Sequence, residues 1–445
     1  MIKFTGHASF LIKSKNYQLL IDPWFTGSAF DLGWDLTSKF KLDHDEISMI
    51  THIWYSHEHP DHFSIKDLKN IYSLNNKIKI IFQYTDDKRV LNFCKKIGFE
   101  VIEVKNFQKY FFDENSYIQI IKCGLIDSFS IIKDQSKIIV NMNDCVPGED
   151  LNKVKKIIEN LNIDILFTQF SYADWKGNPQ DIIIRQLAVK EKFKQISDQI
   201  NFFRPKFVCP FASFIFFSHE ENFFMNDAIP DIQQVHDYIK NLNTMPVILY
   251  PGDQFNYHNK DNSNSIRKYQ TDYRNITIIN KSKTVPLDVL MDLSAKQILR
   301  IKKYNNVIFV FLIFFIGKYL RKGIKPIKFL VKDLNIIFNY NIFQGLKIEN
   351  SLETVGVGGE DIVKNIDLII TSDVLESILK NDWGIGTTLI NGRFFLKNLK
   401  FLDHFRTSFS ITLVNSHGLT AFNLILNKFK KKFKIADLQF TLLQK

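Results

Sequence analysis

The sequence predicts an α/β protein whose first part is an αββα sandwich of two sheets flanked by helices, followed by a smaller C-terminal α/β domain. Two apolar runs, Ile2 to Ile12 and Tyr17 to Ile21, read as strands that pair with each other. Downstream, apolar β runs alternate with amphipathic helical spacing as far as Phe203, and three short β runs fall between Tyr117 and Asn141. Strands first, then strand and helix in alternation, bury their apolar faces as two facing sheets with helices outside. Such a sandwich gathers its loops at the strand ends, where binding and catalytic groups concentrate.

Taken in order, Ser48 to Tyr55 reads as a buried strand, Ile78 to Phe82 as another, and Asp87 to Lys96 has helical spacing. Tyr117 to Lys122, Phe129 to Lys133 and Lys137 to Asn141 are β runs broken by Gly124 and by Asp134-Gln135-Ser136, residues that favour turns. Glu149 to Leu161 reads as helix and Ile163 to Phe170 as a buried strand. A long polar helix follows from about Gln180 to Phe203 and stops before Pro205, whose ring opposes helical backbone in the residue ahead of it. After Pro251-Gly252-Asp253 the character changes. His258 to Lys283 is rich in Asn, Asp, Ser and Lys with little apolar periodicity, which reads as a linker or surface excursion. The expected organisation is therefore a catalytic domain at 1–260, a connecting stretch at 261–290, and an accessory domain at 291–445. Within the last, Asp292 to Gly323 reads as helix and Ile327 to Tyr340 as mixed.

Composition sets outer limits. A chain of 445 residues, 45% hydrophobic and 24% charged, is long enough for two cores and excludes a disordered protein. The net charge of +11 favours anionic substrates or surfaces through the summed field. No zinc finger, basic helix or aromatic RNA-binding strand accompanies it, so nucleic acid is not expected as a partner. Four scattered cysteines, Cys94, Cys123, Cys145 and Cys209, read as reduced thiols, and no charged-then-apolar leader opens the chain; both point to the cytoplasm. The longest apolar run, Val307 to Ile316, is ten residues, about half of the roughly 20 that a spanning helix needs. With Arg300, Lys302, Lys303, Lys318, Arg321, Lys322 and Lys325 around it, the run suits either a core helix or peripheral contact with an anionic membrane surface.

The chemistry is concentrated in His57-Glu58-His59-Pro60-Asp61-His62, which packs three imidazoles and two carboxylates into six residues behind the strand ending at Tyr55. Imidazole nitrogen and carboxylate oxygen are ligands for borderline divalent metals, and a loop at a strand end can turn closely spaced side chains toward one point. A surface loop rich in His and acid is the competing reading, but so many costly polar groups rarely converge without a partner. Trp175, Lys176 and Asn178, in Phe170-Ser171-Tyr172-Ala173-Asp174-Trp175-Lys176-Gly177-Asn178-Pro179, offer a ring face, a cation and an amide on what reads as one exposed loop, suited to a phosphorylated or sugar-like ligand.

The His-x-His-x-Asp-His motif resembles the signature of the metallo-β-lactamase fold superfamily. The opening, Phe4-Thr5-Gly6-His7-Ala8-Ser9-Phe10-Leu11-Ile12 with Leu20-Ile21-Asp22-Pro23-Trp24, resembles the branch containing L-ascorbate 6-phosphate lactonase and N-acyl-phosphatidylethanolamine phospholipase D. Asn141-Met142-Asn143-Asp144-Cys145, Cys209 to Phe214 leading into Ser218-His219-Glu220-Glu221-Asn222, and Pro251-Gly252-Asp253 look most like the metallo-β-lactamase-like part of CMP-N-acetylneuraminate hydroxylase. The likeness covers about residues 1–260. It implies that His57 and His59 hold one metal, Asp61 and His62 a second, that Asp144 bridges them, and that His219 completes the second set. It also places His7 and Asp22 beside the metals, where a carboxylate orients a ligating imidazole. Zinc is the expected ion, and hydrolysis by metal-activated water the expected reaction, with Asp61 and Asp144 as its carboxylates. Farther on, Asp367 to Gly384 and Leu389 to Phe394 resemble sterol-carrier-protein-like α/β domains.

One expected ligand is absent, because the superfamily usually supplies a third histidine before the bridging Asp and this chain has none between His62 and His219. Cys123 and Asp127 lie in the right segment, and Asp127, an oxygen ligand opening the strand toward Asp144, is the favoured substitute. The departure admits iron or manganese in place of zinc. Three functions remain open. One is a hydrolase of an anionic small molecule such as a phosphorylated sugar, lactone, amide or phosphodiester. Another is a non-haem iron oxygenase component acting on a nucleotide sugar. None of the four cysteines stands in a Rieske Cys-x-His or Cys-x-x-His pattern, so such an oxygenase would take electrons from a separate protein. The third is a non-enzymatic binding protein stabilised by metal.

Overall fold

The computed structural model describes the chain except residues 40–41, 147–149, 256, 258–260, 305–325, 343, 352–365, 419 and 421–445. It divides into two compact units: residues 1–281 with 390–392, and residues 282–389 with 393–445.

In the first unit, β1 (Ile2–Gly6), β2 (Ser9–Lys13) and β3 (Gln18–Ile21) run antiparallel to one another. The short strand β4 (Trp34–Leu36) and helix α1 (His44–Ser48) follow. Strand β5 (His52–Tyr55) then lies parallel to β3, and β6 (Lys79–Gln83) and β7 (Glu100–Val104) extend the parallel half. Helices α2 (Ile65–Leu74) and α3 (Arg89–Ile97) are the crossovers between them. Strands β8 (Lys109–Asp113), β9 (Ser116–Cys123), β10 (Asp127–Asp134) and β11 (Lys137–Asn141) form an antiparallel meander. That meander is continued in parallel by β12 (Ile165–Thr168), β13 (Phe207–Pro210) and β15 (Met245–Pro246). Two seven-stranded sheets result, the first closed at its edge by β16 (Gln254–Phe255); β14 (Ile215–Phe217) pairs with β4 alone.

The period of two along each strand decides what goes where. In the first sheet Phe10, Ile12, Leu19, Ile21, Trp54 and Ile81 face the second sheet, where Ile118, Ile120, Ile132, Ile139, Ile165 and Phe167 share the facing side. Their neighbours Leu11, Leu20, Ile53, Tyr55, Ile80 and Phe82 face the helices and meet Ile47, Leu68, Ile71, Val90 and Cys94. The second sheet is covered by α4 (Leu151–Ile158), α5 (Ile182–Phe203) and α6 (Ile232–Asn241), through Val154, Ile196, Ile200, Val235 and Ile239. This is the αββα arrangement. Local signals match it: Ser64 caps α2 by accepting the Asp67 N–H, and Gly98, at φ +123°, ends α3.

Several expected boundaries shift. Ser48 ends α1 instead of opening a strand, and the run from Ile2 to Ile12 is two strands folded at Gly6-His7-Ala8. The stretch 261–290 contains helix α7 (Ser263–Arg274), so it is not simply a linker. A single face, Ser265, Ile266 and Tyr269, is buried; the Tyr269 hydroxyl donates to the Leu249 carbonyl and the Ser265 hydroxyl to Asp253. One buried turn sufficed, and a periodicity that brief is lost among the polar residues around it. The first unit accordingly extends to Lys281.

The second unit is a five-stranded sheet with helices. Its first helix is Leu287–Tyr304, its antiparallel strands are Ile327–Val331, Ile336–Asn341 and Gly345–Ser351, and Leu368–Ile370 adds in parallel beside the first. The apolar run 307–316 lies outside the described residues. Among the described residues no helix is long and apolar enough to cross a membrane.

Candidate metal centre

The site forms where the parallel strands of both sheets end. Asp22 follows β3, the loop His57 to His62 follows β5, Asp144 lies just past β11, Gln169 follows β12, and Asp127 is the first residue of β10. His7 sits in the turn between β1 and β2. Four residues at these ends, His7, Asp22, Asn143 and Ala212, hold positive φ between 32° and 51°. Non-glycine residues in that region cost about 1–3 kcal/mol each and persist where surrounding structure fixes them, and here they lie in the turns that carry or adjoin the site residues.

Among the described residues, three groups of candidate ligand atoms lie mutually within 4.8 Å: His57, His59 and Asp127; His57, His62 and Asp144; and His7, Asp61 and His62. His57 Nε2 is 2.9 Å from His59 Nδ1, 3.7 Å from Asp127 Oδ1 and 3.9 Å from Asp144 Oδ2. His62 Nε2 is 3.4 Å from both Asp61 Oδ2 and Asp144 Oδ1, and His7 Nε2 is 3.2 Å from Asp61 Oδ2.

Asp22 orients two of these imidazoles. Its carboxylate accepts the Ser56 N–H at 2.8 Å, the Ser56 hydroxyl at 2.6 Å, and Nδ1 of His62 at 2.9 Å. A carboxylate only accepts, so Nδ1 of His62 carries the proton and Nε2 faces Asp61 and Asp144. The Ser56 hydroxyl gives its single proton to Asp22 and so accepts from Nδ1 of His57 at 2.9 Å, which leaves Nε2 of His57 facing the cluster.

The donor chemistry suits a divalent ion. His62 Nε2, Asp61 Oδ1 and Asp127 Oδ1 are buried with no hydrogen-bond partner. Burial holds His57 and His59 below the ordinary histidine range, so both offer lone pairs at neutral pH. Burial would lower His62 as well, but the surrounding Asp61, Asp144 and Asp22 push it well above the usual value. Burial tends to raise Asp61 and Asp144, but the His62 charge beside them prevails and both stay ionised. Burial, reinforced by Asp144, raises Asp127 to about 7.

Of the expected site residues, His219 is not brought into any of these groups. It lies beyond β14, its Nδ1 accepting the Glu221 N–H at 3.2 Å and its backbone bridging to Asn280, because the pairing of β14 with β4 carries the segment to other contacts. His7, expected behind the ligands, stands among them. Of the two candidates for the absent histidine, Asp127 joins a group; Cys123 directs its thiol to the Val146 carbonyl at 3.1 Å. Trp175 and Asn178 do not stand on an exposed loop: both are buried. Buried Arg185, paired with Asp227 at 2.7 Å, donates to the carbonyls of Lys176, Asn178 and Pro179 and draws the loop inward, and Lys176 pairs with Asp174 at 2.7 Å. Sequence reasoning passed over Ser56, Gln169 and Lys192. Ser56 adjoins the His-rich loop and was detectable there; the other two carry no sequence signal because tertiary packing brings them in.

Residues 1–119 match the profile of the beta-lactamase superfamily domain. Among curated proteins, the chain is 24% identical over 248 residues to the cytidine monophosphate-N-acetylneuraminic acid hydroxylase of Xenopus laevis, covering 51% of this chain and 40% of that protein. It is 28% identical over 200 residues to a protein of Mycolicibacterium smegmatis described as a Rieske 2Fe-2S iron–sulfur protein, covering 42% and 37%. The chain thus spans well under half the length of these relatives. Similar solved structures include a metallo hydrolase from Ignicoccus hospitalis (13% identity, TM-score 0.40, 57% of this chain and 98% of that one). Another is CmlA, a diiron beta-hydroxylase from Streptomyces venezuelae (12% identity, TM-score 0.39, 56% and 52%). The N-terminal unit is a metallo-β-lactamase fold, carried by the profile match and by the two-sheet αββα topology.

Proposed function

We propose that the N-terminal unit is a metal-dependent hydrolase of an anionic small molecule such as a phosphorylated sugar, lactone, amide or phosphodiester. One or two divalent ions would be held by His57, His59, Asp61, His62, Asp127 and Asp144, with His7 beside Asp61. The observation that carries the reading is that His62 Nε2, Asp61 Oδ1 and Asp127 Oδ1, each on a residue of the three ligand groups, are buried without hydrogen-bond partners. Each such orphaned group costs about 1–3 kcal/mol, a cost that one or two bound cations would offset. When bound, the ions supply Lewis acidity and bring the pKa of water toward neutrality. The chain's own groups do the rest. Asp22 and Ser56 hold the two imidazoles in ligating tautomers, Asp61 and Asp144 stay ionised, and the excess of basic residues draws an anionic substrate toward the loops.

One observation favours a second reading, a non-haem iron oxygenase component acting on a nucleotide sugar with a separate Rieske electron donor. Asp127 in place of a third imidazole makes the donor set richer in oxygen, which suits iron or manganese better than zinc. The hydroxylase and Rieske relatives point the same way. On either reading the C-terminal α/β unit is an accessory domain. The cysteines Cys94, Cys123, Cys145 and Cys209 are free thiols, which suits the cytoplasm.

The test is elemental analysis of protein purified without added metal, followed by chelation and reloading. About two equivalents of zinc or manganese favour the hydrolase and one of iron the oxygenase. Protein that takes up no divalent ion after reloading overturns the metal centre.

A further inference from the structure

Asp144 is gripped from behind by side chains outside every ligand group. Its Oδ1 accepts from the amide nitrogen of Gln169 at 2.5 Å. The amide oxygen of Gln169 accepts from the ammonium of Lys192 at 2.8 Å. An amide side chain has two ends of opposite character, and an ammonium can only donate. Lys192 therefore fixes the oxygen end of Gln169, so its NH2 must face Asp144, an orientation that the Ala212 carbonyl, 3.4 Å from the same NH2, also favours. A flipped amide would set a carbonyl oxygen against a carboxylate.

The same helix, α5, supports the neighbouring residue. Gln199 lies two turns beyond Lys192 on the same face, accepts from the Thr168 hydroxyl at 2.5 Å, and donates to the Cys145 carbonyl at 3.3 Å. Gln169 follows β12 and is itself buried. The loop bearing Asp144 is thus tied to α5 at two successive residues.

We infer that Lys192, acting through Gln169, is a positioning residue for Asp144, fixing the carboxylate so that Oδ1 stays turned toward His62 and Oδ2 toward His57. The inference rests on the metal-centre reading, since its consequence is felt by an ion at Asp144. Lys192 is not a catalytic residue. Its ammonium touches Gln169, and its charge offsets that of Asp144 across the amide.

The test is a titration of zinc alone into chelator-treated full-length protein against a chromophoric competitor. The wild type is compared with Lys192→Met, Lys192→Arg and Gln169→Leu, each first shown to be folded by circular dichroism and thermal unfolding. Loss of support behind a ligand typically costs about 10–100-fold in metal affinity. That loss is expected in Lys192→Met and in Gln169→Leu, with affinity restored to within a few-fold of wild type in Lys192→Arg, whose guanidinium also only donates. Gln169→Leu keeps the test decisive if Lys192→Met does not fold. Wild-type affinity in a folded Lys192→Met or Gln169→Leu overturns this inference and leaves the metal centre standing. A wild type that binds neither zinc nor, in the same titration, manganese or ferrous iron overturns the metal centre and this inference with it.

Discussion

Asp22→Asn should separate metal affinity from stability. Asp22 holds φ +37°, a region that Asn tolerates as Asp does and Ala does not, so Asn changes the chemistry with little change of backbone. The amide oxygen can stand where Oδ1 accepts the Ser56 N–H. The NH2 then occupies the place of Oδ2, which now accepts from both the Ser56 hydroxyl and Nδ1 of His62. Both bonds must reverse. Nδ1 of His62 becomes an acceptor, and the proton moves to Nε2, the atom that faces Asp61 and Asp144. A wrong tautomer at a ligand, and the loss of a carboxylate behind it, should weaken metal binding by about 10–100-fold, or about 1.4–2.7 kcal/mol.

Stability should respond differently. Burial raises the Asp22 carboxyl above its usual value, against the lowering pull of His62 and Ser56. A carboxyl raised in the folded state contributes stability that is present below its unfolded pKa and lost as pH rises through the folded one, so at pH 7 its charge is a net cost. Removing that charge should leave the metal-free protein within about 2 kcal/mol of wild type. Asp22→Ala, by contrast, strands three donors at about 1–3 kcal/mol each and adds backbone strain. The assays are denaturant unfolding in chelator for stability and competition titration for affinity. The reasoning fails if Asp22→Asn binds metal as the wild type does, or if it destabilises the chelated protein as much as Ala.

Replacing His59 or Asp144 by Ala should abolish metal uptake and activity yet move the melting temperature of the chelated protein by only a few degrees, because the sandwich core does not pass through either side chain; elemental analysis and calorimetry test this. His7→Ala should lower metal affinity or stoichiometry while His219→Ala leaves both unchanged, and the opposite pattern would restore His219 to the site. Asp127, at about 7, must lose its proton to bind metal, and His62, raised above 6.5, must do so as well. Affinity should therefore rise from pH 5.5 to 7.5 with proton release on binding, and Asp127→Asn should reduce that release, measured by calorimetry in buffers of different ionisation enthalpy. Cys123, lowered by the Cys145 contact against the effect of burial, should be the first thiol alkylated, ahead of the buried Cys94, Cys145 and Cys209, and at the same rate with or without chelator. Acceleration on chelation would make it a ligand.

What the sequence determined by itself was local. Uninterrupted apolar residues over Phe10 to Ile12, Leu19 to Ile21 and Ile80 to Phe82 specify strands buried on both faces, because a period of two sends neighbours to opposite sides whatever lies beyond. His57, His59, Asp61 and His62 share one loop because they are nearly contiguous, and no folding is needed to bring them close. Helix α7 escaped because its buried face is a single turn, too short to stand out as a period. What only the tertiary structure decided was which distant residues join that loop. His7 from the first turn, Asp127 from the start of β10 and Asp144 from just past β11 meet it because two sheets stack with those ends aligned, and the separate pairing of β14 with β4 carries His219 elsewhere. The grip of Lys192 on Gln169, and of Gln169 on Asp144, depends on where α5 lies across the sheet. A lysine on a long polar helix reads in sequence as solvated surface, and only packing removes it from water and gives its charge a direction.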